Sequence, residues 1–177
     1  MTSETRTLTQ EDTAPIAIAG SARILQNYIG GRWVSSKASK FLDVTNPANG
    51  EVLARAPLSG VADIETAVAA ASAAWSDWRS RSIGERTEFI YALREQFRKR
   101  IDELAASVTK EGGKVLSDAR AEISRAIEVI EVACASPMTM QGRVLEGVAR
   151  GINSETIRQS VGVCAAITPF NFPAMVP

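Results

Sequence analysis

Between residues 62 and 78 the apolar positions Ile64, Ala67, Val68, Ala71, Trp75 and Trp78 recur every three or four residues. That spacing predicts an amphipathic helix with one buried face, and it makes both tryptophans packing residues. A second stripe, through Ile90, Leu93, Phe97, Ile101, Leu104 and Val108, predicts a long helix that begins at Ser82 and stops near Gly112-Gly113. Ser82 and Glu85 have the spacing of a capping box at its start. A third helix is predicted over 117–135, with Ile123, Ile127, Ile130 and Cys134 on its buried side, Arg125 off that stripe, and Pro137 ending it.

On either side of these helices the period shortens. Aromatic and β-branched residues surround Gly30-Gly31 over 28–34, the pattern of a small hairpin. Asn, Pro and Gly cluster over 43–50 ahead of Glu51-Val-Leu-Ala-Arg-Ala56, which predicts a turn between two further strands. From 143 to 162 apolar and polar residues alternate irregularly between glycines, as in two long strands with one exposed face. Val163-Cys-Ala-Ala-Ile167 is short and continuously apolar, as expected of a parallel strand buried on both faces. Such a strand needs neighbours on each side, and no other segment has its character, so the rest of its sheet is expected from sequence outside these residues. The fold class is α/β.

Composition narrows the function classes without choosing one. At 45% hydrophobic and 23% charged, 177 residues suffice for one sizeable core. Lys plus Arg and Asp plus Glu both number 20, so no net field draws in nucleic acid or an acidic membrane surface. The basic run Arg98-Lys-Arg100 is interleaved with Glu95, Asp102 and Glu103 and reads as a solvated helix face. The absence of His removes a histidine general base, and no apolar run has the length of a membrane span. Residues 1–24 read as a flexible tail without a basic leader, which points to a cytoplasmic protein. Cys134 and Cys164 lie in apolar runs without CxxC spacing, so both read as core thiols, with neither a disulfide framework nor a metal site expected.

The segment with candidate chemistry is Ile167-Thr-Pro-Phe-Asn171-Phe-Pro173, directly after the apolar strand, because open α/β sheets bind ligands beyond the carboxyl ends of their strands. Pro169 and Pro173 fix the local backbone and remove two N–H donors. Asn171 is an uncharged amide donor between two phenylalanines. A preorganised amide of this kind stabilises a developing oxyanion by roughly 3 kcal/mol. By spacing alone, Asn171 reads rather as the cap of a following helix and the phenylalanines as core.

The segment resembles the aldehyde dehydrogenase superfamily loop that usually reads Pro-Trp-Asn-Phe-Pro. Phe170 in place of the usual Trp, together with Ser136-Pro-Met-Thr-Met-Gln-Gly-Arg-Val-Leu-Glu-Gly-Val-Ala-Arg150 and Glu155-Thr-Ile-Arg-Gln-Ser160, is similar to the CoA-acylating methylmalonate-semialdehyde dehydrogenases. Asn46-Pro47 with Gly50, Glu111 with Gly113-Lys114, and Glu122 also fit the superfamily pattern.

The resemblance implies a partial Rossmann-type NAD domain with antiparallel hairpins over 25–142. It also implies part of a β-ribbon oligomerisation element over 143–160, the first core strand and its loop over 161–177, and a homotetramer. Asn171 would complete an oxyanion hole, Ile167, Thr168, Pro169 and Phe170 would line the nicotinamide end of an NAD site, and Arg125, with Ser124 beside it, would hold the substrate carboxylate. The implied reaction takes methylmalonate or malonate semialdehyde to propionyl-CoA or acetyl-CoA, with CoA as acyl acceptor and loss of carbon dioxide. The nucleophilic cysteine, the adenine-side glycine motif and a second carboxylate-binding arginine match nothing in these residues. The chain alone is therefore expected to be inactive, as the amino-terminal piece of such an enzyme. The competing expectations are a non-catalytic oligomerisation module and a product without function. Without the resemblance, Arg125 reads as a surface residue paired with Glu122 or Glu128.

Overall fold

A computed structural model describes residues 22–177, so most of the expected tail lies outside the described residues. The described residues divide into two compact units, the first ending at Ala73 and the second running from Ala74 to Pro177. In the first, β2 (Asn27–Ile29) and β3 (Arg32–Val34) form the expected hairpin, with Gly30 and Gly31 at φ 59° and 76°. Two successive left-handed residues make the tight turn that matches strand twist, and glycine adopts it without a Cβ penalty. Tyr28 and Trp33 face each other across the rung, their rings edge to face at 5.0 Å.

β4 (Phe41–Thr45) and β5 (Val52–Pro57) are the second antiparallel pair. Their turn is closed by side-chain amides, Asn46 accepting from the Ala48 N–H and Asn49 from the Glu51 N–H, both at 3.0 Å. The other edge of β5 pairs in parallel with β1 (Arg23–Ile24). Arg23 and Ile24 thus form a strand where their sequence reads as the end of the tail. Their backbone groups satisfy an edge that composition does not reveal.

Helix α1 (Val61–Ser80) forms where its period predicts, yet none of its residues is buried. Ile64 and Val68 on the predicted inner face are 59% and 47% exposed. Periodicity states that a face is apolar; it does not supply the surface that covers it.

In the second unit the capping box forms as predicted, Ser82 Oγ accepting from the Glu85 N–H at 3.2 Å and Glu85 Oε2 from the Ser82 N–H at 2.7 Å. The single helix expected from Ser82 to Gly112 is two, α2 (Ile83–Lys99) and α3 (Ile101–Gly112), separated at Arg100 with φ −116° and ψ 22°. The apolar stripe runs through the break without a Gly or Pro. The bend is set by packing, since α2 and α3 both lie against α4 (Leu116–Cys134). Gly113, at φ 70°, ends α3 in the left-handed conformation.

Ala105, Val108, Ala119 and Ile123 make the core between α3 and α4, with Phe97, Ile101, Leu104, Ile127 and Ala174 around it. Pro137 does not simply stop α4. It sits in the first turn of the short α5 (Ser136–Thr139), where a missing N–H costs nothing.

β6 (Arg143–Ala149) and β7 (Ile152–Thr156) pair as an antiparallel ribbon. Every residue of both strands is exposed, so the ribbon has two open faces, not one. At its base a Cβ on Gly142 would stand 2.1 Å from the Thr156 carbonyl oxygen. Gly142→Ala is therefore expected to open the Arg143–Thr156 rung at a cost of about 1–3 kcal/mol, with the helices intact. Faster amide exchange confined to the ribbon base would show this, and unchanged exchange there would refute it.

The buried parallel strand expected at 163–167 does not form: 161–169 holds no strand, and Val161 and Ile167 are 88% and 102% exposed. Cys164 is accordingly exposed, while Cys134 is buried as predicted. A parallel strand exists only by pairing, and no described strand is beside this segment to pair with.

Candidate functional site

The proline-flanked segment ends in a turn over Phe170–Met175, in which the Val176 N–H donates to the Phe172 carbonyl at 3.2 Å. No helix follows among the described residues, and the Asn171 side chain makes no hydrogen bond there. Asn171 is thus not a helix cap in this structure. Its amide is exposed and free to donate. Phe170, 94% exposed, is not a core residue, and Phe172 is 40% exposed.

The turn is held on its far side by α4. Glu122 Oε1 accepts from the Ala174 N–H at 2.9 Å, and Glu122 Oε2 accepts from Lys114 Nζ at 2.5 Å. The Lys114 ammonium also stands 4.3 Å from the centre of the Phe172 ring. Glu122 is only 4% exposed. Burial by itself pushes its carboxyl upward, but the Lys114 ammonium and the backbone N–H groups of Ala174 and Met175 outweigh it and hold the group below its ordinary value. A carboxylate lowered on folding stabilises the fold above its unfolded value, and that contribution is lost as pH falls through the depressed folded one.

By sequence, Glu122 was a match to a pattern without an assigned role. The signal that could have found it is its position, since Ala119, Ile123 and Ala126 place it on the buried side of α4. A carboxylate on an apolar stripe requires partners.

Arg125 and Ser124 lie on the exposed side of α4. Arg125 Nη1 donates to Glu128 Oε2 at 2.7 Å, so its surface partner is Glu128 and not Glu122. Ser124 Oγ donates to the Arg120 carbonyl at 3.0 Å. Among the described residues no hydrogen bond joins either of them to 167–171. Ile167, Thr168, Pro169 and Phe170 are all exposed and form no closed cleft.

The first unit holds a separate open depression of about 340 Å³ lined by Lys37, Lys40, Leu58, Gly60 and Asp63. The Asp63 carboxyl is held low by the Ser36 hydroxyl at 2.5 Å, against the opposing effect of burial, with the Lys37 N–H adding to the lowering. None of the residues singled out from the sequence lines it. No described helix is long and apolar enough to cross a membrane.

Packed helices and antiparallel hairpins, superposing on solved relatives, define the class, an α/β chain of aldehyde dehydrogenase-like fold. The chain belongs to the aldehyde dehydrogenase family, whose model matches residues 33–177. It is 43% identical over 155 residues to malonate-semialdehyde dehydrogenase 2 of Shouchella clausii, covering 88% of this chain and 32% of that one. It is 42% identical over 151 residues to the mitochondrial acylating methylmalonate-semialdehyde dehydrogenase of Arabidopsis thaliana, covering 85% and 25%. A Sinorhizobium meliloti protein, described as a methylmalonate-semialdehyde dehydrogenase and solved in complex with NAD, superposes with a TM-score of 0.83 at 33% identity. That superposition covers 88% of this chain and 32% of the other. The chain thus spans about a third of the length of the first curated relatives it matches.

Proposed function

We propose that these residues are the amino-terminal part of an NAD-dependent, CoA-acylating dehydrogenase of malonate or methylmalonate semialdehyde. The observation that carries the reading is the exposed side chain of Asn171, without a hydrogen bond among the described residues, on a turn anchored behind it by Glu122. The similarity to the malonate-semialdehyde enzymes supports the substrate class. On this reading 25–142 is part of the NAD domain, 143–160 is half of an oligomerisation ribbon, and 161–177 is a core strand with its loop that forms only when strands from sequence outside these residues pair with it. Exposed Val144, Leu145, Val148 and Ile152 on the ribbon support a covering subunit and a homotetramer. The proposed setting is cytoplasmic.

Asn171 Nδ2 donates to the aldehyde oxygen as it gains negative charge, while the nucleophilic thiolate comes from sequence outside these residues. Ile167, Thr168, Pro169 and Phe170 fit the nicotinamide end of NAD, because Ile167 and Phe170 leave apolar surface uncovered and Pro169 brings no competing N–H donor. When bound, NAD accepts the hydride and CoA the acyl group. Overall, malonate semialdehyde, CoA and NAD give acetyl-CoA, carbon dioxide and NADH, the proton of the CoA thiol replacing the lost carboxylate. Arg125 turns from Glu128 to the substrate carboxylate, which its planar fork of donors suits, with Ser124 beside it.

The test is to determine the intact mass of the native protein and to assay it with malonate semialdehyde, NAD and CoA. NADH and acetyl-CoA in equal amounts are expected, with neither from the 177-residue chain alone. A free-acid product without any CoA requirement, or turnover by the short chain, would overturn the reading. In the active enzyme, Arg125→Gln is expected to raise KM for the semialdehyde about 10–100-fold while leaving stability nearly unchanged, since the side chain is 69% exposed. An unchanged KM would remove Arg125 from the site.

The open ribbon also supports a second reading, an oligomerisation module that pairs with full-length subunits. Added to the active enzyme, the short chain would then lower its specific activity in proportion to the amount mixed in. No change on mixing counts against it.

A further inference from the structure

We propose that Glu122 and Lys114 form a two-point strap that sets the direction of the Asn171 amide, making Glu122 a positioning residue for the oxyanion donor. The inference rests on the role of Asn171 proposed above. The strap grips the chain on both sides of Pro173, at Phe172 by the Lys114 ammonium and at Ala174 by the Glu122 carboxylate. One carboxylate is committed to two donors at once, its Oε1 to the loop and its Oε2 to Lys114.

Neither partner is a casual surface contact. The Glu122 side chain is 2% exposed and that of Lys114 26%, whereas the other ion pairs of the second unit have at least one partner about half exposed or more. Lys114 is itself placed by Gly113, whose left-handed conformation turns the chain out of α3 and toward α4. Ala174 packs on the core of Ala105, Val108, Ala119 and Ile123, so the loop is tied to a rigid element at the residue Glu122 holds. Asn171 is one residue before the Lys114 contact and makes no hydrogen bond of its own among the described residues. The direction of its side chain is therefore inherited from the two points that hold Phe172 and Ala174. Preorganisation of this kind decides the worth of an oxyanion donor, because a misplaced amide must reorient as charge develops.

Glu122→Gln is isosteric but faces two donors with only one acceptor oxygen, so it forfeits one grip while keeping the volume of the buried side chain. In the native enzyme it is expected to lower kcat about tenfold or more, with KM for NAD changed less than about twofold. Glu122→Met, which keeps no acceptor oxygen, should also raise amide exchange at Ala174. Lys114→Met should lower kcat similarly, and the double variant should be little worse than either single, the non-additivity of two residues acting as one device. A merely structural pair would reduce the fraction of folded enzyme without splitting kcat from KM per titrated active site.

Three results would decide against the strap. Unchanged Ala174 exchange in Glu122→Met, which keeps no acceptor oxygen, removes it whatever the activity. Altered exchange with unchanged kcat leaves a loop anchor that does not position Asn171. If the wild-type protein forms no NADH from any semialdehyde, the dehydrogenase reading falls and takes the positioning role with it, while the exchange experiment still reports on the hydrogen bond.

Discussion

Replacing Asn171 by alanine in the active enzyme is expected to lower kcat by about 10²–10³, with KM for NAD nearly unchanged. The expectation follows from where the residue stands. Its side chain is exposed and makes no hydrogen bond among the described residues, so its removal takes nothing from the fold. Any large effect must then arise from an interaction made with the reacting substrate. Because the amide would bind the oxyanion more strongly than the ground-state aldehyde, the loss belongs to kcat and kcat/KM together. Asn171→Asp should be at least as damaging, since it puts a negative charge where one must develop. Steady-state kinetics beside thermal unfolding separates the two contributions. A loss smaller than about threefold at unchanged stability would remove Asn171 from the catalytic apparatus.

Ile123→Ala carries the largest expected effect on stability, about 2–5 kcal/mol. Ile123 has no exposed surface and is the largest fully buried side chain described, at the centre of a small core between α3 and α4. Deleting its branched end removes apolar surface and leaves a cavity that neighbours on two helices cannot close without shifting. The next residue outward in the turn is Glu122, so relaxation around the cavity should also loosen the Ala174 hydrogen bond. Denaturant titration is the appropriate measurement, read as a shift of midpoint at constant slope. A change below about 1 kcal/mol would mean that the second unit draws its stability from elsewhere.

The sequence located the parts whose determinants are local. Both early hairpins, the capping box of α2, the termination of α3 at Gly113 and the pairing of the ribbon were all legible, because turn chemistry and helix caps act within a few residues. The loop around Asn171 was legible for the same reason, its two prolines and one amide lying within a hexapeptide. The family, too, could be recognised from short runs of residues.

What required tertiary structure was every statement about partners. Periodicity gave α1 an apolar face and 163–167 an apolar run, but burial and parallel pairing are properties of two surfaces, and only one of each is described here. The break at Arg100, the parallel strand at Arg23–Ile24 and the role of Glu122 likewise depend on what lies across a contact. A carboxylate on an apolar stripe announces from sequence that it must be compensated, whereas the tertiary structure decides that Lys114 and the Ala174 N–H compensate it. Local chemistry thus fixed the elements and the candidate donor. The fold fixed what restrains them, because burial and charge compensation are set by residues distant in sequence.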